Sequence, residues 1–263
     1  MAKHIVLVHG AWQGSWSFDL IKPLLQQKGW TVHAVDLPDN GWNSDTQITA
    51  SQQSYCDYVV QMIHNIGEPV VLLGHSGGGL TISAVAEQIP ELISHLIYLV
   101  GMMLPSNMSF LDFKKLCEQH FPDEDFSGIS PYLTFTDDGY SIVSSEGAKK
   151  IFLQDCEPAL AEQLIEKLRP QPEAGRDLKP VLTPERFGCV PRIYVEALND
   201  QSLSINMQRL MQQLQPNKLQ IITMQTGHVP QAVQPDLLVE KLNQILSPDK
   251  TKIQIDIGEK AAD

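Results

Sequence analysis

The stretch LLGHSGGGL, residues 72–80, places one serine among four glycines directly after a short apolar run. Within it, Gly74, Ser76 and Gly78 match the pattern G-x-S-x-G. In this pattern a sharp turn between a buried strand and a helix projects the serine hydroxyl, and small flanking residues let strand and helix approach closely. A phosphate-binding loop is the alternative, but the spacing fits neither G-x-G-x-x-G nor G-x-x-x-x-G-K. The motif therefore predicts a strand, a tight turn that exposes the Ser76 hydroxyl, and a helix.

Short β-branched runs alternate with longer amphipathic stretches on both sides of this motif. Most of these runs are continuously apolar, as is typical of parallel strands that are covered on both faces. Strands are predicted at residues 4–9, 31–37, 69–74, 95–100, 192–198 and 218–223. Helices are predicted at residues 17–28, 51–66, 77–89, 205–214 and 235–246. The pattern indicates an α/β fold with a mainly parallel sheet of about six strands, flanked by helices.

The alternation is interrupted for a long stretch after the fourth predicted strand. Proline-punctuated helical segments such as 110–121 and 158–170 occupy this stretch, and a structureless loop of that length would be improbable. Near the end of the chain, the alternating KIQIDI at 252–257 is a weak candidate for an edge strand. The predicted parts are an α/β core at 1–101 and 190–247, an inserted helical cap subdomain at 102–189, and a polar C-terminal extension at 248–263.

Composition narrows the class of protein. The 263 residues are 43% hydrophobic and 19% charged, which is enough apolar material for one globular unit with a sizeable core. A formal net charge of -12 with scattered basic residues argues against a nucleic-acid partner. The chain begins directly with a strand pattern, and no apolar run reaches the about 18 residues that a membrane helix needs. We therefore expect a cytoplasmic protein that binds neither nucleic acid nor membrane; a homodimer is compatible with the sequence.

The spacing of the cysteines does not indicate a metal or redox site. The four cysteines are Cys56, Cys117, Cys156 and Cys189, and no two of them form a C-x-x-C pair. This spacing favours free thiols over a zinc site or a redox motif. We expect no metal and no organic cofactor.

A nucleophilic serine needs a histidine to accept its proton and a carboxylate to hold that histidine in the correct tautomer. Of the eight histidines only His228 follows the last predicted strand, in the loop QTGHVPQAVQP. The acid is expected after the fifth predicted strand, where Asp200 is preferred and Glu196, inside the strand, is the alternative. His9 and His75 are interpreted as structural neighbours of the turn. The predicted catalytic group is therefore Ser76, His228 and Asp200.

An oxyanion formed on the substrate needs two aimed backbone amides, one after the nucleophile and one in the loop after the first strand. Gly77 and Ala11 occupy these positions. The substrate is expected between the serine turn and the cap, beside side chains of the FLDF segment at 110–113. The predicted substrate-binding residues are Trp12, Met102, Met103 and Leu104. For Trp12 and the two methionines, a packing role is an equally open interpretation.

Five segments together carry a family resemblance. They are LVHGAWQGSW (7–16), LLGHSGGG (72–79), LTPERFGCVPRIYV (182–195), NDQSLSINMQRL (199–210) and TGHVPQAVQPDLL (226–238). In these segments the chain resembles the plant methylesterase and hydroxynitrile lyase branch of the α/β-hydrolases. The similarity runs from the first strand to about residue 246 and is loosest in the cap. It implies an α/β-hydrolase fold without a cofactor.

By this resemblance, Ser76, Asp200 and His228 correspond to the catalytic triad of the family, and Ala11 and Gly77 to its oxyanion donors. These are the residues that the chemistry of acyl transfer had already selected.

Two chemistries occur in this branch, and two positions separate them. Its hydroxynitrile lyases carry a threonine after the first-strand histidine and a lysine after the catalytic histidine, where this chain has Gly10 and Val229. Without a cation beside His228, a departing cyanide would lack its electrostatic partner, so ester hydrolysis is favoured.

The acyl group that the enzyme accepts is expected to differ from that of the plant proteins. Plant methylesterases commonly have cysteine and histidine after the oxyanion alanine, where this chain has Trp12 and Gln13. We predict a serine hydrolase that cleaves carboxylic esters of small apolar or aromatic acids, methyl esters among them, through an acyl-enzyme. A carbon-carbon lyase or cyclase and a non-catalytic small-ligand receptor on the same fold are the alternatives.

Overall fold

The computed structural model of the protein describes residues 3–40, 42, 47–216 and 219–246. The predicted C-terminal extension at 248–263, with its candidate edge strand, lies outside the described residues.

A parallel sheet of six strands forms the centre of the described chain. The strands of the described chain are β1 His4–Val8, β2 Thr31–Ala34, β3 Val70–His75, β4 Ile93–Leu99, β5 Leu133–Phe135, β6 Tyr140–Val143, β7 Gln171–Pro172, β8 Arg192–Ala197 and β9 Gln220–Met224. The spatial order of the six-stranded sheet is β2-β1-β3-β4-β8-β9, and every neighbouring pair runs parallel; β5, β6 and β7 lie outside it. The predicted α/β fold with a mainly parallel sheet is confirmed.

Helices cover both faces of this sheet. They are α1 Lys22–Gln27, α2 Gln52–Ile66, α3 Gly78–Gln88, α4 Phe110–His120, α5 Ser145–Gly147, α6 Pro158–Lys167, α7 Ile205–Gln213, α8 Pro230–Val233 and α9 Pro235–Leu246. A π-helical turn, Ala148–Phe152, follows α5, and short 3-10 helices occupy Ser15–Phe18, Pro90–Leu92, Ser130–Tyr132, Glu173–Gly175 and Phe187–Cys189. None of the described helices is both long and apolar enough to cross a membrane.

Alternate residues of each central strand enter two different hydrophobic clusters. In β1, Val6 and Val8 pack with α2, α3 and α7, whereas Ile5 and Leu7 pack with α1 and α9. Because successive strand side chains point to opposite faces, the two clusters lie on opposite sides of the sheet. This double coverage explains why the strands read as continuous apolar runs in the sequence.

Two predicted elements are shorter in the structure. The helix predicted at 17–28 divides into the 3-10 turn Ser15–Phe18 and α1, because Pro23 favours a helix start and cannot continue a preceding one. The strand predicted at 31–37 ends at Ala34, because the chain then turns toward the loop after β1. There Asp36 accepts a hydrogen bond from the Ser15 amide at 2.7 Å.

The cap region 102–189 is not purely helical, and this corrects the prediction. Besides α4 and α6 it contains a small antiparallel sheet in the order β5-β6-β7. The β5–β6 hairpin turns through Asp138 and Gly139, with Gly139 at φ +84. An Asp-Gly pair between short alternating runs is a strong hairpin signal, so the sequence contained the information.

The cap also shares its core with the sheet. Met103, Phe113 and Cys117 belong to the same hydrophobic cluster as Leu72 and Tyr98 of β3 and β4. Other cap residues, among them Ile151 and Phe152, form a separate apolar cluster together with Trp12 and Val229. The bounds of the cap as a subdomain stay a prediction.

Candidate active site

The turn between β3 and α3 holds Ser76 in a left-handed conformation, with φ +51. Such a conformation costs a non-glycine residue of order 1–3 kcal/mol and persists only where the surroundings fix it. Here the Ser76 amide donates to Leu99 O at 3.2 Å, and Ser76 O accepts from the Gly79 amide at 3.0 Å and the Met102 amide at 2.9 Å. The backbone of the turn is therefore fixed by neighbouring elements, as the G-x-S-x-G motif predicts.

Gly74 and Gly78 make this turn sterically possible. A Cβ on Gly74 would lie 2.6 Å from Gly78 O, and a Cβ on Gly78 would lie 2.6 Å from Val8 O. Real side chains do not tolerate such separations, so only glycine allows β3, α3 and β1 to approach this closely.

The three predicted catalytic side chains meet at the carboxyl end of the sheet. His228 Nε2 lies 3.1 Å from Ser76 Oγ, and His228 Nδ1 lies 2.8 Å from Asp200 Oδ2. The other carboxylate oxygen, Asp200 Oδ1, accepts from the amides of Ser202 at 2.6 Å and Leu203 at 3.1 Å. The side chains of His228 and Asp200 are almost completely buried. This arrangement is the proton path that a serine nucleophile requires.

The alternative acid, Glu196, points elsewhere. Its carboxylate accepts hydrogen bonds from Arg209, Gln212 and Thr223, and it makes none to His228. Burial alone would raise the pKa of Glu196, but the hydrogen bonds from Arg209, Gln212 and Thr223 outweigh burial and lower the pKa. Glu196 therefore holds β8, α7 and β9 together.

His75 supports the histidine loop rather than the chemistry. Its Nε2 lies 2.8 Å from His228 O, and its Nδ1 lies 2.9 Å from Gln13 Oε1. Complete burial, followed by the nearby His228, lowers the pKa of His75 to about 3. The ring is neutral near pH 7, and its Nε2–H group donates to His228 O, which holds the backbone of His228 in place.

Ala11 and Gly77 lie next to each other beside the serine. A Cβ built on Gly77 would be 4.0 Å from the Ala11 amide nitrogen, and both residues line the same cavity. Within the described part of the chain, neither amide donates a hydrogen bond. Two unused amides beside a serine hydroxyl are what an oxyanion site needs.

The loop that carries Ala11 is anchored to the cap through Trp12. The Trp12 amide donates to Gln171 Oε1 at 3.1 Å, and its indole Nε1 donates to Ser141 Oγ at 3.1 Å. The guanidinium of Arg176 lies over the indole ring at 4.6 Å. Trp12 thus combines an anchoring role with a place in the cavity wall.

A cavity extends from Ser76 between the sheet and the cap. It encloses about 990 Å³ of space free of protein atoms, including its opening to solvent. Its apolar wall includes Leu80, Met102, Phe110, Phe126, Ile129 and Phe152. Of the predicted substrate-binding residues, Trp12 and Met102 line this cavity.

Met103 and Leu104 do not line the cavity, which corrects the prediction. Both are about 1% exposed or less and are part of the main hydrophobic core. Of the three consecutive residues 102–104, only Met102 lines the cavity. Phe126, Ile129 and Phe152 were missed because no local pattern distinguishes them from other apolar cap residues.

Among the described residues, no group of three or more His, Cys, Asp or Glu side chains is arranged to hold a metal ion. The four cysteines are free thiols; Cys56 and Cys117 are buried, Cys156 is half-buried and Cys189 is exposed.

Comparison with known proteins agrees with this geometry. A family model described as "Alpha/beta hydrolase family" matches residues 5–241. Methylesterase 8 of Arabidopsis thaliana is 32% identical over 92% of this chain and 89% of its own length. Polyneuridine aldehyde esterase of Rauvolfia serpentina is 32% identical over 79% of this chain and 81% of its own length. A crystal structure of polyneuridine aldehyde esterase superposes with a TM-score of 0.80 and 25% identity, covering 94% of this chain and 100% of that one.

The chain therefore belongs to the α/β-hydrolase family. Within that family it belongs to the methylesterase-like branch, and it is an ester hydrolase.

Proposed function

We propose that the protein cleaves carboxylic esters of small apolar or aromatic acids, methyl esters among them, through an acyl-enzyme on Ser76. His228 takes the proton of Ser76 as its oxygen attacks the ester carbonyl, and Asp200 stabilises the imidazolium. The amides of Ala11 and Gly77 hold the oxyanion. His228 then protonates the leaving alcohol and activates the water that releases the acid.

The observation that carries this proposal is the continuous hydrogen-bonded path from Asp200 through His228 to Ser76, with separations of 2.8 and 3.1 Å. It ends at a cavity that also holds two unused amides. The residues proposed as nucleophile, base and oxyanion donors thus lie close together, which supports acyl transfer. The apolar wall of the cavity supports an apolar or aromatic acyl group.

The lyase alternative is disfavoured at both positions that distinguish it. A Cβ on Gly10 would lie 2.8 Å from the Ser76 Cβ, so a threonine there would require the loop to move. Val229, which follows His228, is 3% exposed and packs in an apolar cluster with Trp12 and Phe152. A departing cyanide would find no charge at this position.

The test is hydrolysis of a panel of p-nitrophenyl and methyl esters, with short aliphatic and aromatic acids, by the wild type and by Ser76→Ala and His228→Ala. We expect the wild type to turn over and each variant to lose at least about 10³-fold in kcat, because each removes one end of the proton path. Ser145→Ala and His64→Ala, both at exposed positions outside the cavity, are the matched controls and should retain the wild-type rate.

Other outcomes would select the alternatives. Full activity in Ser76→Ala would contradict an acyl-enzyme. Turnover of a cyanohydrin without ester turnover would favour the lyase. Binding of small aromatic acids or esters without any turnover would favour a receptor.

A further inference from the structure

A short segment of the cap reaches the loop that carries His228. The segment is FLQD, residues 152–155, and it begins at the last residue of the π-helical turn Ala148–Phe152. The Asp155 Oδ2 atom accepts a hydrogen bond from the amide of Gly227, the residue before His228. The Phe152 ring stacks on the His228 ring, with 5.2 Å between centroids and 27° between planes. One cap segment thus contacts both the backbone and the side chain of the histidine loop.

The same segment holds the loop that carries the acid. Gln154 Nε2 donates to Asn199 O at 2.8 Å, directly before Asp200 in the chain. The Asn199 amide in turn donates to Thr226 O at 3.0 Å, which joins the two loops to each other. Residues 152–155 therefore hold the acid loop and the base loop from one side.

Gly227 packs closely against this segment. A Cβ on Gly227 would overlap the ends of the side chains of both Gln154 and Asp155. A larger residue at position 227 would therefore displace these two side chains from their present contacts.

The position of the Asp155 side chain is unfavourable for the free energy of folding. Its Oδ1 atom is buried and has no hydrogen-bond partner among the described residues. A buried carboxylate oxygen without a partner is unfavourable for folding, so a purely structural contact would be served as well by a neutral acceptor. The carboxylate makes a stronger hydrogen bond to a backbone amide than a neutral group does, and that amide is next to His228.

We propose that Asp155 is a positioning residue: it holds the Gly227 amide and thereby keeps the imidazole of His228 at hydrogen-bonding distance from Ser76. This rests on the proposed function, because it assumes that His228 is the base. Small displacements of a catalytic group cost large factors in rate, up to about 10²-fold for 1 Å. The expected consequence is a loss in kcat rather than in substrate affinity, because Asp155 is not among the residues that line the cavity.

The experiment compares Asp155→Ala, Asp155→Asn and the wild type on the ester that the wild type cleaves best. Asp155→Ala should lower kcat about 10- to 100-fold and change KM less than about 3-fold. Asp155→Asn keeps an oxygen acceptor for the Gly227 amide, but a weaker one than a carboxylate, and should recover part of the rate. Asp123→Ala, at an exposed cap aspartate, is the matched control and should match the wild type. A kcat of Asp155→Ala within about 2-fold of the wild type, or an Asp155→Asn as slow as Asp155→Ala, would overturn the proposal.

A second readout does not depend on turnover. Hydrogen exchange followed by mass spectrometry on peptides covering 225–231 should be faster in Asp155→Ala than in the wild type, because the Gly227 amide loses its acceptor. Asp155→Asn keeps a weaker acceptor and should exchange at an intermediate rate. Unchanged exchange in Asp155→Ala would overturn the positioning role even if no ester is cleaved. Retained activity in Ser76→Ala would instead contradict the acyl-enzyme, so the two failures are distinguishable.

Discussion

Asp200 shows how a single carboxylate can fix the chemical state of a neighbouring ring. The amides of Ser202 and Leu203 both point at Oδ1, so that position must be filled by an acceptor. The remaining oxygen faces His228 Nδ1, which must therefore carry the proton and leave Nε2 free to accept from Ser76. The tautomer of His228 is thus decided by two backbone amides that do not contact its ring.

This geometry predicts a specific defect in Asp200→Asn. The two amides would hold the Asn oxygen, so its NH2 group would face His228 Nδ1 and force the proton onto Nε2. His228 could then no longer accept from Ser76, and we expect kcat to fall by about 10⁴-fold with a stability close to that of the wild type. Ester kinetics with a thermal melt measure both quantities.

Glu196→Gln is the control for Asp200→Asn. Glu196 was the alternative acid and makes no contact with His228. A small effect in this variant is expected, whereas a loss as large as that of Asp200→Asn would show that the acid was misassigned.

At the scale of the elements, Gly74 and Gly78 allow β3, α3 and β1 to pack in close contact. A Cβ on Gly78 would lie 2.6 Å from Val8 O and 2.7 Å from His9 O, both rigid backbone atoms. Gly78→Ala must therefore push α3 away from the end of β1, which shifts the serine turn relative to the loop of Ala11.

We expect Gly78→Ala to destabilise the protein by about 1–3 kcal/mol, as overpacking usually does, and to lower kcat as well. Urea unfolding and ester hydrolysis measure the two effects. Gly188→Ala is the matched control, because the nearest atom to a Cβ there is 3.4 Å away, an ordinary contact, and its cost should stay within about 0.5 kcal/mol. Equal stability of the two variants would mean that the contact between α3 and β1 can relax.

At the scale of the whole molecule, buried histidines couple folding to pH. Burial lowers the pKa of His75 to about 3 from its ordinary value of 6.5, and burial also lowers the pKa of His9. His9 holds the loop that carries Ala11, since its Nδ1 lies 2.8 Å from Gly10 O and its Nε2 accepts from the Leu37 amide at 3.2 Å. Burial thus disfavours protonation of both rings in the folded chain, whereas the unfolded chain binds these protons more readily.

The sign of the pH dependence follows from these directions. Between about pH 3 and 6.5 the unfolded chain binds protons that the folded chain excludes, so stability is full above pH 6.5 and is lost as the pH falls. Each histidine contributes a slope of at most about 1.4 kcal/mol per pH unit. Urea unfolding at pH 5, 6 and 7.5 should show this fall, and His75→Gln should flatten it while the exposed His64→Gln should not. A wild type equally stable at pH 5 and 7.5 would contradict the assignment of neutral histidines.

The parts of the site that the sequence predicted are those that depend on local patterns or on strand direction. The serine turn is encoded by glycine spacing within five residues, and the strand and helix around it follow from local apolar patterns. Asp200 and His228 were identified because each follows a strand, and parallel strands bring their carboxyl ends to one edge of a sheet. The Ala11 and Gly77 amides follow from the same rule.

The sequence by itself therefore determined the parallel sheet, the serine turn and the group formed by Ser76, Asp200 and His228, because local pattern and strand polarity specify them. Only the tertiary structure decided which cap side chains reach the cavity, that Met102 faces it while Met103 and Leu104 are in the core, and that Asp155 holds the histidine loop. These depend on how the cap packs across the sheet. Packing brings together residues that are far apart in the chain, and the periodicity of a single segment does not predict which of them will be in contact.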